Sequence, residues 1–250
     1  MKKTLYFILL GLITISAIIY GVYRNVGFTR PASFFGRVIT YPFYDDEDKE
    51  AKKESKVFGK YGTYKDEVSF DEIDEIKIHA DVMSITVEGG SENKISYECN
   101  NDGFIPDINV KNGKLVVKQT GLRVTFGTSS YKCKLHITLK NPDAIKYLDI
   151  NNDVGDILIE GVELPKLRVN QDVGNIILSD VGLEKGKLTT DVGNVEIRRL
   201  KYIDDYDMDV ACSIGSVSFK GKRSPKRFHQ QGKDIRSLTV SCDVGDIDIE

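Results

Sequence analysis

The sequence predicts an all-β protein, a β-solenoid with coils of about 19–22 residues preceded by one N-terminal transmembrane helix. Three observations lead to this prediction: a four-residue phrase that recurs in the second half of the chain, short stretches in which apolar and polar residues alternate, and one long uncharged segment near the start. Regular repetition with a period near 20 residues is typical of stacked coils. Alternation with period two is typical of half-buried strands.

The recurring phrase is Asp-Val-Gly followed by Asp or Asn. It begins at Asp153, Asp172, Asp191 and Asp243, with a divergent form at Ser213. Its glycines are Gly155, Gly174, Gly193, Gly215 and Gly245, separated by 19, 19, 22 and 30 residues. Apolar residues alternate with polar ones on both sides of each phrase, which predicts a strand before it and another after it.

Each phrase is predicted to form a structural corner between two faces of a coil. Val154 and Ile157 are three residues apart, so the backbone must turn between them if both face the core. Gly155 can adopt a positive φ at little cost, and Asp153 can accept hydrogen bonds from nearby backbone amides in an Asx-type turn. The valine column predicted to face inward with Val154 is Val173, Val192, Ile214 and Val244.

Strand-like stretches also precede the repeats, at 76–80, 85–89, 94–98, 114–118 and 134–139. The first two form a divergent copy in which Met83 stands at the glycine position. No helical period of useful length appears in this part of the chain. The predicted strand-repeat domain therefore spans 67–250.

The uncharged segment Leu5–Tyr23 predicts a membrane anchor at residues 1–23. As a helix it would be about 28 Å long, close to the roughly 30 Å hydrocarbon core of a bilayer. A secretory signal peptide is the alternative, but no convincing small-x-small cleavage site follows. Positive residues flank the segment almost equally on both sides. The short basic N-terminus favours an extracytoplasmic repeat domain, although charge alone does not fix the orientation.

Residues 24–66 are predicted to be a juxtamembrane linker. Its aromatic residues suit a membrane–water interface, and packing against the folded domain is an equal alternative. The mixed charges of 45–56 are typical of a solvated spacer. The whole chain carries 35 basic and 38 acidic residues, a formal net charge of −3, so it has no general attraction for nucleic acid.

The stacked aspartates raise the question of a metal site. Neighbouring coils would place them about 4.8 Å apart, where solvated like charges repel by less than about 1 kcal/mol. A single hydrogen bond, which contributes about 0.5–1.5 kcal/mol, offsets that repulsion. The spacing also differs from the nine-residue calcium β-roll pattern. The sequence therefore predicts structural turns, with no metal and no other cofactor.

An enzyme is the alternative class, a β-helix acting on cell-wall or extracellular polysaccharide. Such enzymes place carboxylates of suitable separation at one site. Here the acids repeat evenly, as expected of a scaffold, and tryptophan, a common platform for sugar stacking, is absent. None of the three histidines stands near a nucleophile motif. We therefore expect a protein that is not an enzyme.

Residues 220–233 interrupt the repeat and form its one strongly basic segment. Contact with an anionic ligand is predicted for Lys220, Lys222, Arg223, Lys226, Arg227 and Lys233. On an exported protein these cations could meet an anionic wall polymer, lipid headgroups or an acidic partner. A solvated insertion loop is the alternative. Because the sequence ends within the strand of the last copy, we also expect this segment, or another chain, to cover an open coil end.

Cys212 and Cys242 occupy the same column, each directly before a corner residue. Adjacent coils would bring their Cα atoms to about 4.8 Å, within the range that a disulfide requires. They are predicted neighbours, and a bond between them depends on the redox compartment. A pairing of Cys99 with Cys133 is a further alternative.

As a set, DVGDILI (153–159), DVGNIIL (172–178), DVGNVEI (191–197) and DVGDIDI (243–249) resemble a bacterial putative-adhesin β-strand-repeat family of unknown function. Residues 132–150 are similar to the family's lead-in strand, and the resemblance covers 67–250. The anchor followed by repeats is similar to the LiaG-like, membrane-anchored members linked to Gram-positive envelope-stress operons. The resemblance implies a right-handed β-helix-like fold and a cell-envelope location, and it supplies no catalytic residues.

Together these observations predict a single-pass cell-membrane protein with an extracytoplasmic repeat domain. Its expected role is that of an adhesin or scaffold, or of a regulatory component in envelope stress. The expected partners are the membrane, an anionic cell-wall polymer or a membrane regulatory protein, and a second copy bound through the solenoid end.

Overall fold

The computed structural model describes residues 61–120, 132–233 and 235–250. The predicted anchor at 1–23 and most of the linker at 24–66 lie outside these residues. Within the described ranges, no helix has both the length and the apolar character needed to cross a bilayer. The first strand begins at Tyr61 and so includes the last residues of the predicted linker.

The prediction of an all-β fold is confirmed. In chain order the strands are β1 (Tyr61–Ser69), β2 (Glu75–Val82), β3 (Ser84–Gly89), β4 (Lys94–Asn101), β5 (Asp107–Lys111), β6 (Lys114–Gln119), β7 (Cys133–Leu139), β8 (Tyr147–Val154), β9 (Ile157–Glu160), β10 (Glu163–Val173), β11 (Ile176–Ser179), β12 (Gly182–Val192), β13 (Val195–Arg198), β14 (Asp207–Ile214), β15 (Val217–Phe219), β16 (Lys222–Ser224), β17 (Arg227–Gln230), β18 (Ser237–Val244) and β19 (Ile247–Ile249). Two short 3-10 helices, Asp102–Phe104 and Pro142–Ala144, accompany them.

The strands form two sheets whose central members run parallel. One sheet has the order β1-β4-β7-β3-β9-β11-β13-β19-β15-β16, and the other has the order β17-β14-β18-β12-β10-β8-β2-β6-β5. In each coil, one strand lies in the first sheet and its partner along the chain lies in the second. We call each such pair a rung and number the rungs along the stack. Rung 1 is β6 with β7, rung 2 is β2 with β3, rung 3 is β8 with β9, rung 4 is β10 with β11, rung 5 is β12 with β13, rung 6 is β18 with β19, and rung 7 is β14 with β15.

Parallel registers confirm the alignment that the repeat predicts. Val169 lies opposite Ile150 on one side and Leu188 on the other, each 19 residues away. Met83 falls at the glycine position of rung 2, because Val82 pairs with Val154 and Ile85 with Ile157. Equivalent apolar residues therefore stack in columns between the two sheets. Five consecutive members of one column, Ile150, Val169, Leu188, Val240 and Val210, are at most 2% exposed.

Rungs do not follow one another in chain order at the end that contains the C-terminal strands. Rung 6 (237–249) lies between rung 5 and rung 7 (207–219), with Leu188 and Val210 on either side of Val240. The expectation of an open coil end at the last copy is therefore wrong. The reason is that β16 and β17 occupy the outer edges of rung 7, so β18 and β19 pair with its inner edges.

Antiparallel strands cover both ends of the stack in the described structure. At rung 1, β5 pairs with β6, β4 with β7, and β1 with β4. At rung 7, β16 pairs with β15 and β17 with β14. Unpaired edges of a sheet invite association with other strands. The basic insertion 220–233 thus caps a rung, as expected, but the capped rung is 207–219.

Candidate functional site

The corner of each rung from 3 to 7 is closed by a glycine in the left-handed region. Gly174 has φ 139° and Gly193 has φ 146°, values that L side chains rarely adopt. A Cβ on Gly193 would lie 1.8 Å from the carbonyl oxygen of Gly174, and a Cβ on Gly174 would lie 2.0 Å from that of Gly155. Backbone conformation and close stacking both require glycine at these corners.

A buried donor in each of these rungs binds the corner carbonyl of the rung before it. The donor stands directly before the aspartate position of the phrase. The bonds are Asn152 Nδ2 to Met83 O (3.0 Å), Gln171 Nε2 to Gly155 O (2.6 Å), Thr190 Oγ1 to Gly174 O (3.5 Å), Cys242 Sγ to Gly193 O (3.2 Å) and Cys212 Sγ to Gly245 O (3.2 Å). Sequence analysis missed the role of this column. The available signal was a polar residue or cysteine where apolar alternation predicts a buried side chain.

The residue that follows each glycine makes a second set of hydrogen bonds between rungs. Asp156 Oδ1 accepts from the backbone N–H of Asn175 at 2.9 Å, and Asn175 Oδ1 accepts from that of Asn194 at 3.0 Å. In the same way, Asn194 Oδ1 accepts from the backbone N–H of Asp246, and Asp246 Oδ1 accepts from that of Ser216, both at 2.8 Å. These side chains tie one rung to the next, whereas sequence analysis predicted that the aspartates before the glycines accept hydrogen bonds from backbone amides within their own turn.

The prediction that the valine of the phrase faces the core is wrong. Val154 is 43% exposed, Val192 is 47% exposed, and Ile214 at the same position of rung 7 is 65% exposed. The buried position before the corner belongs to the donor column, for example Asn152 at 2% exposure. Because the backbone leaves the sheet at Gly155, the side chain that alternation would place inside lies on the outside of the bend. The exposed valines therefore form part of the surface.

Three of the aspartates before the glycines, Asp153, Asp172 and Asp191, sit in an environment that disfavours their charge. Burial, followed by the charges of Asp172 and Asp81, raises the pKa of Asp153 to about 6. Burial and the next carboxylate along the stack also raise the pKa of Asp172 and of Asp191. By contrast, hydrogen bonds from Ser216 lower the pKa of Asp246, which follows a corner glycine. Carboxylates thus differ in their electrostatic state on the two sides of the glycine.

Cys212 and Cys242 are neighbours in register, as predicted, and both are buried. In this structure they are two free thiols. Burial, followed by the neighbouring Cys212, raises the pKa of Cys242 to about 11. A protonated thiol is a poor nucleophile for disulfide exchange. The pair therefore serves here as hydrogen-bond donors to the corner carbonyls. Cys99 and Cys133 form a disulfide between β4 and β7.

The basic segment forms an exposed cluster at rung 7. All six residues predicted to contact an anionic ligand have exposed side chains: Lys220, Lys222, Arg223, Lys226, Arg227 and Lys233. Two of them are also held within the chain, because Lys220 Nζ donates to Asp204 Oδ1 and Lys226 Nζ donates to the backbone oxygen of Ser213. The strands β16 and β17 thus fix part of this segment on the stack rather than leaving it as a loop.

Side-chain packing and a hydrogen bond hold the basic segment against rung 7. The ring centroids of Phe219 and Phe228 are 5.4 Å apart, and Gln230 Nε2 donates to the backbone oxygen of Ile203 at 3.0 Å.

Beside Arg227 lies a groove of about 450 Å³. His229, on its rim, contacts Asp207 at 3.3 Å and Asp209 at 3.0 Å. Within the described residues, no three His, Cys, Asp or Glu side chains are placed to hold a metal ion.

Solved structures that are similar to this chain include two putative adhesion proteins. A putative cell adhesion protein from Clostridium sporogenes is 17% identical, with 75% of this chain and 99% of that chain covered and a TM-score of 0.54. A putative adhesin from Bacteroides fragilis is 14% identical, with 78% and 100% covered and a TM-score of 0.37. A putative lipid binding protein from Parabacteroides distasonis is 11% identical, with 78% and 99% covered and a TM-score of 0.30. At these identities the first similarity supports the fold alone.

No curated protein is significantly similar to the chain. A family model does match most of the strand-repeat region, from residue 73 to residue 250. The matched region begins just before β2 and contains all seven rungs. The chain therefore belongs to the Toastrack DUF4097 family.

Proposed function

We propose that this protein is a non-enzymatic cell-envelope protein whose stacked rungs form a short β-solenoid outside the cell, anchored in the cell membrane by residues 1–23. Its role is adhesion or scaffolding through contact with an anionic envelope polymer. The observation that carries this proposal is the basic segment 220–233, which covers rung 7 with six exposed cationic side chains. The fold that it shares with a putative cell adhesion protein is in keeping with this role.

The charge distribution favours an anionic ligand at this end of the stack. The chain as a whole carries a formal charge of −3, so the basic segment opposes the overall charge. Local clusters of one sign steer ligands of the opposite sign even when the net charge does not. Arg223 and Arg227 each offer a planar donor group suited to phosphate or carboxylate. Arg223 lies on β16 at the edge of one sheet and Arg227 on β17 at the edge of the other, and a backbone held in strands reduces the ordering cost of binding.

The proposed location rests on two further features. The 19 uncharged residues of Leu5–Tyr23 have the length of a membrane span. The Cys99–Cys133 disulfide is typical of proteins outside the reducing cytosol. Both are consistent with a repeat domain on the outer side of the membrane.

A regulatory role in envelope stress is the second candidate. The anchor would place the stack beside membrane proteins, and the layout of an anchor followed by repeats resembles that of the LiaG-like members. This role predicts a membrane-protein partner that is captured by crosslinking in native membranes. It also predicts that deletion of the gene changes the output of stress genes. An adhesin or scaffold without a regulatory partner would give neither result.

The proposal is tested with the full-length chain in nanodiscs of neutral lipid. The probe is a synthetic poly(glycerol phosphate), and its binding is measured by biolayer interferometry at 50 and 300 mM salt. We expect the triple variant Lys222→Gln, Arg223→Gln, Arg227→Gln to lose about tenfold in affinity, since three exposed charge contacts are removed. The affinity of the wild-type chain should fall as salt rises.

The matched control removes three exposed cations elsewhere, in the variant Lys65→Gln, Lys185→Gln, Lys187→Gln. It should bind the polymer nearly as well as the wild type. Vesicles with and without phosphatidylglycerol separate a lipid headgroup from a free polymer as the source of phosphate. Equal losses in both triple variants would contradict a specific basic site. Release of product from wall polysaccharide would favour the alternative of a β-helix enzyme.

A further inference from the structure

An exposed row of β-branched apolar side chains runs along the corner of the stack. We call this row the ridge and define it as Val154, Val173, Val192, Val244 and Ile214, given in their order along the stack. The five side chains are 43%, 43%, 47%, 42% and 65% exposed. They occupy paired positions in rungs 3 to 7. Successive members are therefore about 4.8 Å apart, and the ridge is about 19 Å long.

Packing within the stack does not account for the apolar character of the ridge. The core beside it is filled by the donor column and by the isoleucines and valines after the glycines, such as Ile157, which is fully buried. A polar β-branched residue such as threonine would serve a strand equally well on an exposed surface. Single exposed valines are common, but an uninterrupted line of five is typical of an interaction surface.

Acidic side chains flank the ridge on both sides. On one side the preceding residues are Asp153, Asp172, Asp191 and Asp243, with Ser213 in rung 7. On the other side, beyond the glycines, Asp156 and Asp246 carry charge. The charges that act on Asp153 come from the carboxylates of Asp172 and Asp81. A surface with an apolar centre and acidic margins is complementary to a partner with an apolar stripe and basic margins.

We propose that the ridge is a docking surface for an amphipathic α-helix of another protein, whose apolar stripe is bordered by Lys and Arg. A helix lying along the stack presents one apolar position per turn at a pitch of 5.4 Å, close to the rung spacing of about 4.8 Å. An extended strand in that direction would present same-side residues every 6.6–6.8 Å, a poorer match. The ridge accommodates between three and four helical turns, or about 13 residues.

Charge selects this occupant over the other candidates. An anionic membrane surface would be repelled by the flanking aspartates. A metal ion would use the carboxylates and leave the apolar row without a role. The ridge and the basic segment 220–233 share no residue, although Lys226 Nζ donates to the backbone oxygen of Ser213, next to Ile214 at the rung 7 end of the ridge. The proposal for the ridge can therefore be tested independently of the proposed contact with an anionic polymer.

The test uses the full-length chain in neutral nanodiscs and two labelled synthetic peptides. The first is a 14-residue helix with one leucine stripe bordered by lysines. The second has the same composition in a scrambled order that removes the stripe. Binding is followed by fluorescence anisotropy at 100 mM salt. We expect the striped peptide to bind at least tenfold more tightly than the scrambled one, because only the first can place all its apolar side chains on the ridge.

Two double variants separate the apolar and the charged contributions. Val173→Thr with Val192→Thr keeps the β-branched shape, and we expect it to weaken binding of the striped peptide about tenfold. Asp172→Asn with Asp191→Asn should weaken it about threefold to tenfold. The control is Asp107→Asn with Asp143→Asn, which removes two exposed acids away from the ridge. This control should leave peptide affinity unchanged.

Three results would overturn the proposal. Equal affinity for the striped and scrambled peptides would show attraction by charge alone. Unchanged affinity in the valine variant would exclude the apolar row. Calcium binding that the aspartate variant abolishes, together with peptide binding that the valine variant does not alter, would assign this corner to a metal ion. Circular dichroism of each variant confirms that the strands are retained.

Discussion

The inner and outer sides of each corner differ in what they tolerate. On the inner side, a glycine without room for a Cβ stacks on the carbonyl group of the neighbouring corner, and a buried donor binds that carbonyl group. On the outer side, the two residues before the glycine are exposed or half-buried, and in rungs 3 to 5 the carboxylate of the aspartate has a raised pKa. The phrase Asp-Val-Gly therefore combines a glycine that holds the stack together with an aspartate and a valine that form its surface.

The donor column shows how much the inner side can vary. Rungs 3 and 4 use amides, rung 5 uses a hydroxyl group, and rungs 6 and 7 use thiols. The acceptor is always the carbonyl group of the corner before it along the stack, at Met83 or at a glycine. The stack thus requires a hydrogen-bond donor at this point rather than one residue type. The glycine itself has no comparable freedom, because both its φ and its contact distance exclude a side chain.

The largest effect is expected from a substitution at a corner glycine. Gly193→Ala would place a Cβ 1.8 Å from the oxygen of Gly174 at a φ of 146°. Rungs 4 and 5 would have to separate, so we expect a loss of more than about 3 kcal/mol in the free energy of unfolding. Urea denaturation followed by circular dichroism measures this loss.

Gly161→Ala is the matched control for that substitution. Gly161 also has a positive φ, 64°, but nothing lies within 4 Å of the Cβ position. Backbone strain alone should cost about 1 kcal/mol. Similar losses in the two variants would mean that conformation, and not stacking, explains why glycine recurs at the corners of this chain.

The next largest effect is expected in the donor column. Gln171 Nε2 donates to the backbone oxygens of Gly155 at 2.6 Å and Val173 at 2.7 Å. Gln171→Leu keeps the bulk but leaves these partly buried acceptors without that donor, which should cost about 1–3 kcal/mol. Chemical denaturation of the variant and the wild type measures the difference.

A control on the opposite face of the same strand tests the contrast between inside and outside. Asn170→Thr changes a half-buried outward residue to the type found at the paired Thr189. The variant also removes the hydrogen bond from Asn170 Nδ2 to Asn151 Oδ1 at 2.7 Å, so the expected loss is at most about 1 kcal/mol. A loss as large as that of Gln171→Leu would contradict the view that only the inner side is restrictive.

Much of this architecture could be predicted from the sequence, because the repeat and the period-two alternation are local signals. They gave the strand positions, the corner glycines and the register of Cys212 with Cys242. Alternation failed at Val154, where the backbone turns and the rule for a straight strand no longer applies. It also could not assign a role to Gln171, whose partner, Gly155, belongs to another rung.

The order of the rungs could not be predicted, since any repeat offers edges that any other repeat can pair with. Leu188 pairs with Val240, 52 residues away, and not with Val210 of the next copy in the chain. The basic segment was recognised as an interruption, but its strands β16 and β17 are too short to give a clear periodic signal. Their position on rung 7 then determines where the last copy is inserted.

A smaller effect is expected when the thiol donors are replaced by hydroxyl donors. Cys242 pairs with Thr190 in the same column, so Cys212→Thr with Cys242→Thr extends an arrangement already present in rung 5. We expect the free energy of unfolding to change by less than about 1 kcal/mol. The variant Cys212→Val with Cys242→Val, which has no donor, should be less stable by about 1 kcal/mol for each lost bond.

Alkylation of the unreduced wild-type protein, read by mass spectrometry, should count two free thiols. Reduction of the Cys99–Cys133 disulfide should destabilise the wild type and the threonine variant equally. If Cys212 and Cys242 are instead bonded, reductant will destabilise the wild type more than the threonine variant. That result would contradict the role of the thiols as corner donors.

The smallest effect is expected on the outer side, where substitution should be stabilising. The folded-state pKa of Asp153 is about 6, above its ordinary value of 3.8, so the folded state binds the extra proton. The free energy of unfolding should therefore fall as pH rises from about 4 to about 6 and stay low above that range. Asp153→Asn removes the charge and should stabilise the protein at pH 7 by no more than about 1 kcal/mol, since solvent screens the carboxylate.

Thermal unfolding of wild type and variant between pH 4 and pH 8 measures this difference, which should vanish near pH 4. Asp246→Asn is the control on the other side of the glycine, where hydrogen bonds from Ser216 lower the pKa of the carboxyl group. Neutralising that group should give no stabilisation at pH 7. If Asp153→Asn destabilised the protein at pH 7, the carboxylate would have a favourable partner, and the outer side of the corner would be as structural as the inner side.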